Sequence, residues 1–178
     1  MMNVRLVRKS SGDKKYIKNL KEKTNLQVGW FEDSRYDDNT PVASVAATQE
    51  YGAYDRNIPP RPFMRPTVTE HEKEWVNTFS KLIKKNTLTN TFEQLGLVVS
   101  GQIRAKIASI WEPPLKAATV QSRLRRYRQR LDEASEGRKR GKYGKLKGDV
   151  SDSITKPLVD TGVMISSVSY KVGGGVKE

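Results

Sequence analysis

The chain has 178 residues, a net charge of +13, no cysteine and one histidine. That length suits a single domain with a modest core, because only 35% of the residues are hydrophobic and mean hydropathy is −0.70. This composition excludes a disulfide framework, a thiolate metal site and a histidine-rich ligand set, and no apolar run approaches the roughly 20 residues of a membrane span.

Met1 to Lys23 is basic and amphipathic, without the apolar centre of a signal peptide, so the expectation is synthesis in the cytoplasm. Within this stretch Val4 to Val7 suggests a short strand and Asp13 to Lys23 a helix. Leu26 to Phe31 reads as a buried strand, followed by a polar turn over Ser34 to Asn39. Thr40 suits an N-cap and Pro41 a first helical position, so a helix is expected from there to Gly52. Four prolines between Asn57 and Pro66 predict an extended path.

A long helix is then expected, capped by Thr69 and Glu72, with Val68, Trp75, Val76, Phe79, Leu82 and Ile83 on one face. A short loop over Lys84 to Thr89 leads to an antiparallel partner from about Thr91 to Ile110, capped by Asn90 and Glu93. Its stripe is Phe92, Leu95, Val99, Ile103 and Ile110, and Pro113 and Pro114 end it. Ala118 to Leu131 reads as helical, and Gly137 to Gly148 as a segment too charged to pack a core. Asp160 opens a turn, Val163 to Ser166 a helical turn, and Val168, Tyr170 and Val172 alternate as a last strand.

The fold class expected is therefore α+β: a small β-sheet on an antiparallel pair of long helices, with an extended proline segment and a basic arm. The organisation is an N-terminal extension (1–25), a core (26–115), the arm (116–153), a closing turn and strand (154–172) and a tail (173–178).

The charge is unevenly placed. Lys116 to Lys147 holds 12 basic and three acidic residues, a balance of +9; the rest of the chain holds 21 and 17, a balance of +4. Arg123, Arg125, Arg126, Arg128 and Arg130, with Tyr127 among them, suit phosphate contact or docking on acidic protein surfaces. Nucleic-acid binding by such an arm would be weak, without sequence readout and steeply salt-dependent. Without a recognised DNA-binding motif, protein docking is the favoured reading.

Asp160-Thr161-Gly162 matches the active-site turn of a retroviral-type aspartic protease. That chemistry needs two facing aspartates that share a proton, inside a small β-barrel. Only 16 residues follow Gly162, and the preceding hundred are mainly helical by pattern, so the triplet reads as a structural turn with Asp160 capping the residues after it. His71 is a side chain in a helix's first turn, and Asp33, Asp37 and Asp38 form a solvated turn rather than a calcium loop. No catalytic, metal or cofactor residue is assigned, and no small-molecule substrate.

Three ordered blocks carry a resemblance: Val28 to Gly52 (VGWFEDSRYDDNTPVASVAATQEYG), Ile58 to Pro66 (IPPRPFMRP), and WEPPL with Thr119 and Arg123 followed by Lys156 to Val172 (KPLVDTGVMISSVSYKV). Together the blocks resemble the neck and tail-completion proteins of long-tailed bacteriophages, a group that includes minor tail protein Z and related head–tail joining proteins. Residues 125–152 are longer and more basic than that pattern, and the first 25 lie outside it. The resemblance implies a non-enzymatic virion subunit that forms a ring, six-fold by analogy, between the tail tube or terminator and the head connector or stopper. Passing contact with genomic DNA belongs to the same picture, and membrane contact does not. On this reading Arg61, Phe63 and Arg65 and the arginines of the arm carry subunit or partner contacts. The alternative is a nucleic-acid-binding protein acting through residues 116–147.

Overall fold

A computed structural model describes residues 24–136 and 154–174. The expected strand and helix before residue 24, the charged stretch over 137–148 and the tail from residue 175 lie outside the described residues. The elements, in order, are β1 (Thr24–Gly29), α1 (Val42–Tyr51), a 3-10 turn (Tyr54–Arg56), α2 (Met64–Leu82), α3 (Leu88–Ser109), α4 (Ala117–Glu136), the single turn α5 (Val163–Ser166) and β2 (Ser169–Gly174). The fold is α+β: long helices and one two-stranded antiparallel sheet.

The chain divides into two compact units. Among the described residues, one gathers 24–29, Val68–Gly101 and 169–174; the other gathers Trp30–Thr67, 102–136 and 154–168.

In the first unit β1 pairs with β2, the two elements furthest apart in the described chain, with Leu26 opposite Val172 and Val28 opposite Tyr170. A two-stranded ribbon is marginal alone and needs a packed face. Gly96 of α3 provides it: a Cβ there would stand 2.5 Å from the Tyr170 ring and 3.1 Å from the end of Leu26. A mid-helix glycine costs about 1 kcal/mol relative to alanine, and here it permits that close approach. Phe79 and Phe92 meet at 5.6 Å between ring centroids, and Ile83, Leu88, Leu95 and Val99 are buried.

In the second unit Val42, Ala46, Phe63, Ile103, Ile107, Leu158, Met164 and Val168 form the core. Trp30 packs its ring edge-on against Phe63 and donates its indole N–H to the Met164 carbonyl at 2.8 Å. Arg104 hydrogen-bonds the Val168 carbonyl.

Several boundaries differ from expectation, each for a local reason. Strand β1 stops at Gly29, and Trp30 and Phe31 lie beyond it. Thr40 does not cap α1; Pro41 holds the N-cap position, and the Thr40 N–H instead donates to Asp38. Helix α2 begins at Met64, five residues before the expected Thr69 cap, with Pro66 in its first turn, where a missing N–H costs nothing. Helix α3 begins at Leu88 rather than Thr91, because Thr87 Oγ1 accepts from the Asn90 N–H. Val68 and Val76 are exposed, so the buried stripe of α2 is narrower than the sequence suggests.

Candidate interaction site

Three charged side chains of the second unit are buried and spend their hydrogen bonds on the main chain of distant segments. The first is Glu50, at the end of α1. Its carboxylate accepts from the N–H groups of Phe63 (2.7 Å), Met64 (2.9 Å) and Arg65 (3.1 Å), the unpaired donors at the start of α2. The Arg65 guanidinium adds a bond at 3.0 Å and lies 5.0 Å from the Tyr51 ring centroid. Burial opposes ionisation of Glu50, and these donors outweigh it, holding its carboxyl below the ordinary glutamate range.

The second is Arg61, 4% exposed. It donates to the carbonyls of Pro113 (2.8 Å) and Pro114 (3.1 Å) and to the Gln49 side chain (3.2 Å). Burial, then the nearby Arg123 charge, pushes its pKa down. The third is Arg123 on α4, 8% exposed, which donates to the carbonyls of Lys156 (2.7 Å) and Pro157 (3.0 Å). Its Nε stands 3.5 Å from Asp160. Burial lowers its pKa too, the Asp160 charge opposing and Arg126 adding to that shift.

Beside Arg123, a cleft of about 280 Å³ is lined by Tyr36, Asp38 and Thr40 from the loop before α1, Val45 and Gln49 of α1, Arg123 and Arg126 of α4, and Pro157 to Met164 in part. Arg126 bonds Asp160 at 2.8 Å from a half-exposed position. Burial, then the Asp160 and Asp38 charges, pushes the Tyr36 phenol up, so it remains a hydroxyl donor at neutral pH. The cleft sets donors and carboxylates side by side, an arrangement suited to binding groups of mixed charge.

The sequence-selected residues fall into three sets. Arg61, Phe63 and Arg123 are buried in this chain's own core, which corrects the expectation that they form a contact surface: their bonding capacity is spent internally. Arg65, Arg125, Arg126 and Arg128 are exposed, although Arg65 and Arg126 already have carboxylate partners. The side chain of Arg130 lies outside the described residues. At Asp160, Thr161 and Gly162 the chain bends, with Gly162 at φ 77°, a conformation glycine adopts freely. Asp160 is not a cap: Gly162 holds the N-cap position of α5 without a side-chain cap bond, and the Asp160 carboxylate faces two guanidinium groups.

His71 pairs with Glu74 at 2.9 Å and stacks near Trp75, in the other unit. Among the described residues no group of three or more acids and histidines is placed to hold a metal ion, and no helix is long and apolar enough to cross a membrane. Sequence reasoning missed Glu50 and Tyr36. Glu50 is visible in the sequence only as part of a terminal Glu-Tyr-Gly, and nothing local marks it as the cap of another helix. Compared with family models, curated proteins and solved structures, the chain matches none.

Proposed function

We propose that the chain is a non-enzymatic structural subunit of a tailed-phage virion, a neck or tail-completion protein that forms a ring joining the tail to the head connector. One observation carries this reading: the three sequence blocks that bear the resemblance are the segments that the buried charges tie together. Glu50 of the first block holds Phe63, Met64 and Arg65 of the second. Arg61 of the second holds Pro113 and Pro114 of the third, and Arg123 holds its Lys156 and Pro157. The motif residues build a shape. The surface they leave outside, a helix face rich in arginine, suits contact with neighbouring subunits.

The test is genetic. Alanine at Arg125, Arg126 and Arg128 together leaves the chain folded by circular dichroism, while heads and tails accumulate unjoined in electron micrographs. A normal titre of complete virions from that mutant overturns the reading.

A further inference from the structure

Residues 117–129 of α4 contain four arginines and no acid. Arg123 turns inward and Arg126 is engaged by Asp160. Arg125 and Arg128 remain, three residues apart on one exposed helix face, without a carboxylate partner among the described residues. The loop between β1 and α1 carries the opposite charge. Glu32 and Asp37 are exposed there and likewise lack a basic partner among the described residues.

Both surfaces are held in shape before any partner arrives. The loop is closed by the Ser34 N–H on the Phe31 carbonyl, the Asn39 N–H on the Tyr36 carbonyl and the Thr40 N–H on Asp38, and Arg35 bridges to Pro41. Arg123 pins α4 to the carbonyls of Lys156 and Pro157. Pre-ordered charges lose little entropy on docking.

We propose that the Arg125/Arg128 face is the docking surface for the acidic loop of a second copy of this chain, with Glu32 and Asp37 of that copy as its counter-charges. A polyanion is the poorer fit. Arg126 lines the same cleft as Asp38 and Asp160, so a phosphate backbone laid over the face would run against carboxylates beside it. The acidic loop differs from a phosphate backbone in carrying the exposed Arg35 among its acids, a cation to set against those carboxylates. The proposal deepens the ring reading above and rests on it for the expectation that copies join.

Light scattering over a concentration series tests it. The wild-type chain associates at about 0.1 M salt and dissociates toward about 1 M, as the Debye length falls from about 10 Å to about 3 Å. Arg125→Glu with Arg128→Glu, or Glu32→Lys with Asp37→Lys, each weakens association about tenfold or more by placing like charges together. An equimolar mixture of the two variants, or one chain carrying all four substitutions, associates again. Circular dichroism confirms that each variant is folded; the mixture supplies the internal control, since a misfolded variant gives no rescue while a folded one does.

A monomeric wild-type chain, association indifferent to both reversals, or folded variants that fail to rescue each other overturn the proposal. So does a shift of duplex DNA by monomers that the Arg125→Glu/Arg128→Glu change abolishes. Size separates this contact from the neck reading: a salt-sensitive, rescued assembly that stops at a dimer keeps the contact and overturns the ring.

Discussion

The two units of this chain hold together by different physics. The unit built on β1, β2 and the facing stretches of α2 and α3 relies on apolar contact: rings meeting at Phe79 and Phe92, and Tyr170 lying on Gly96. The unit built on α1, the proline segment and α4 adds to its apolar core buried charge aimed at the main chain, through Glu50, Arg61 and Arg123. Apolar contacts fail gradually when trimmed, whereas a buried charged anchor fails abruptly, because the groups it served remain buried without partners.

Arg123→Met breaks the comparison hardest. It leaves the Lys156 and Pro157 carbonyls without donors and costs about 2–4 kcal/mol in urea unfolding, at about 1–3 kcal/mol for each buried acceptor left unpaired. Glu50→Ala comes next, at about 2–3 kcal/mol, since three helix N-terminal donors lose a charged acceptor. Its signature is local: amide exchange at Phe63, Met64 and Arg65 accelerates. Gly96→Ala costs about 1–3 kcal/mol by overpacking against Tyr170, and shortening Tyr170 to alanine in the same chain recovers part of it. Asp160→Asn is the mildest, about 1 kcal/mol or less, because Asp160 is itself 32% exposed, its Arg126 partner is half exposed, and Arg123 keeps its two carbonyl acceptors.

Acid sharpens the same contrast. Glu50 has a lower pKa folded than unfolded, so its contribution is fully present above the ordinary value of about 4.3 and is lost as pH falls through the lower folded value. The wild-type chain therefore loses more stability than Glu50→Gln over that acid window. Equal loss in the two chains refutes this assignment.

Legibility in the sequence divides along the same line. Apolar periodicity marks α2, α3 and the turn-plus-strand ending because a stripe such as Leu95, Val99 and Ile103 is a local property of one helix. The start of α2 is not legible locally, because its cap is supplied by Glu50, some fourteen positions upstream on another element. Arg61 and Arg123 read as surface contacts because arginines in polar sequence usually lie exposed. Only the fold brings carbonyls of proline-containing segments within reach of each. The Asp160 turn is legible and its partners are not, since Arg126 lies 34 residues earlier.

The pairing of β1 with β2 has a consequence for how the chain is made. Leu26 waits for Val172, and Gly96 has no ring to receive until Tyr170 is in place. During synthesis β1 leaves the ribosome long before its partner, so the sheet cannot nucleate on a growing chain. A nascent or truncated product ending before Ser169 leaves β1 unpaired and Gly96 without its ring. Closure of this ribbon therefore reports that the chain has been made through Gly174.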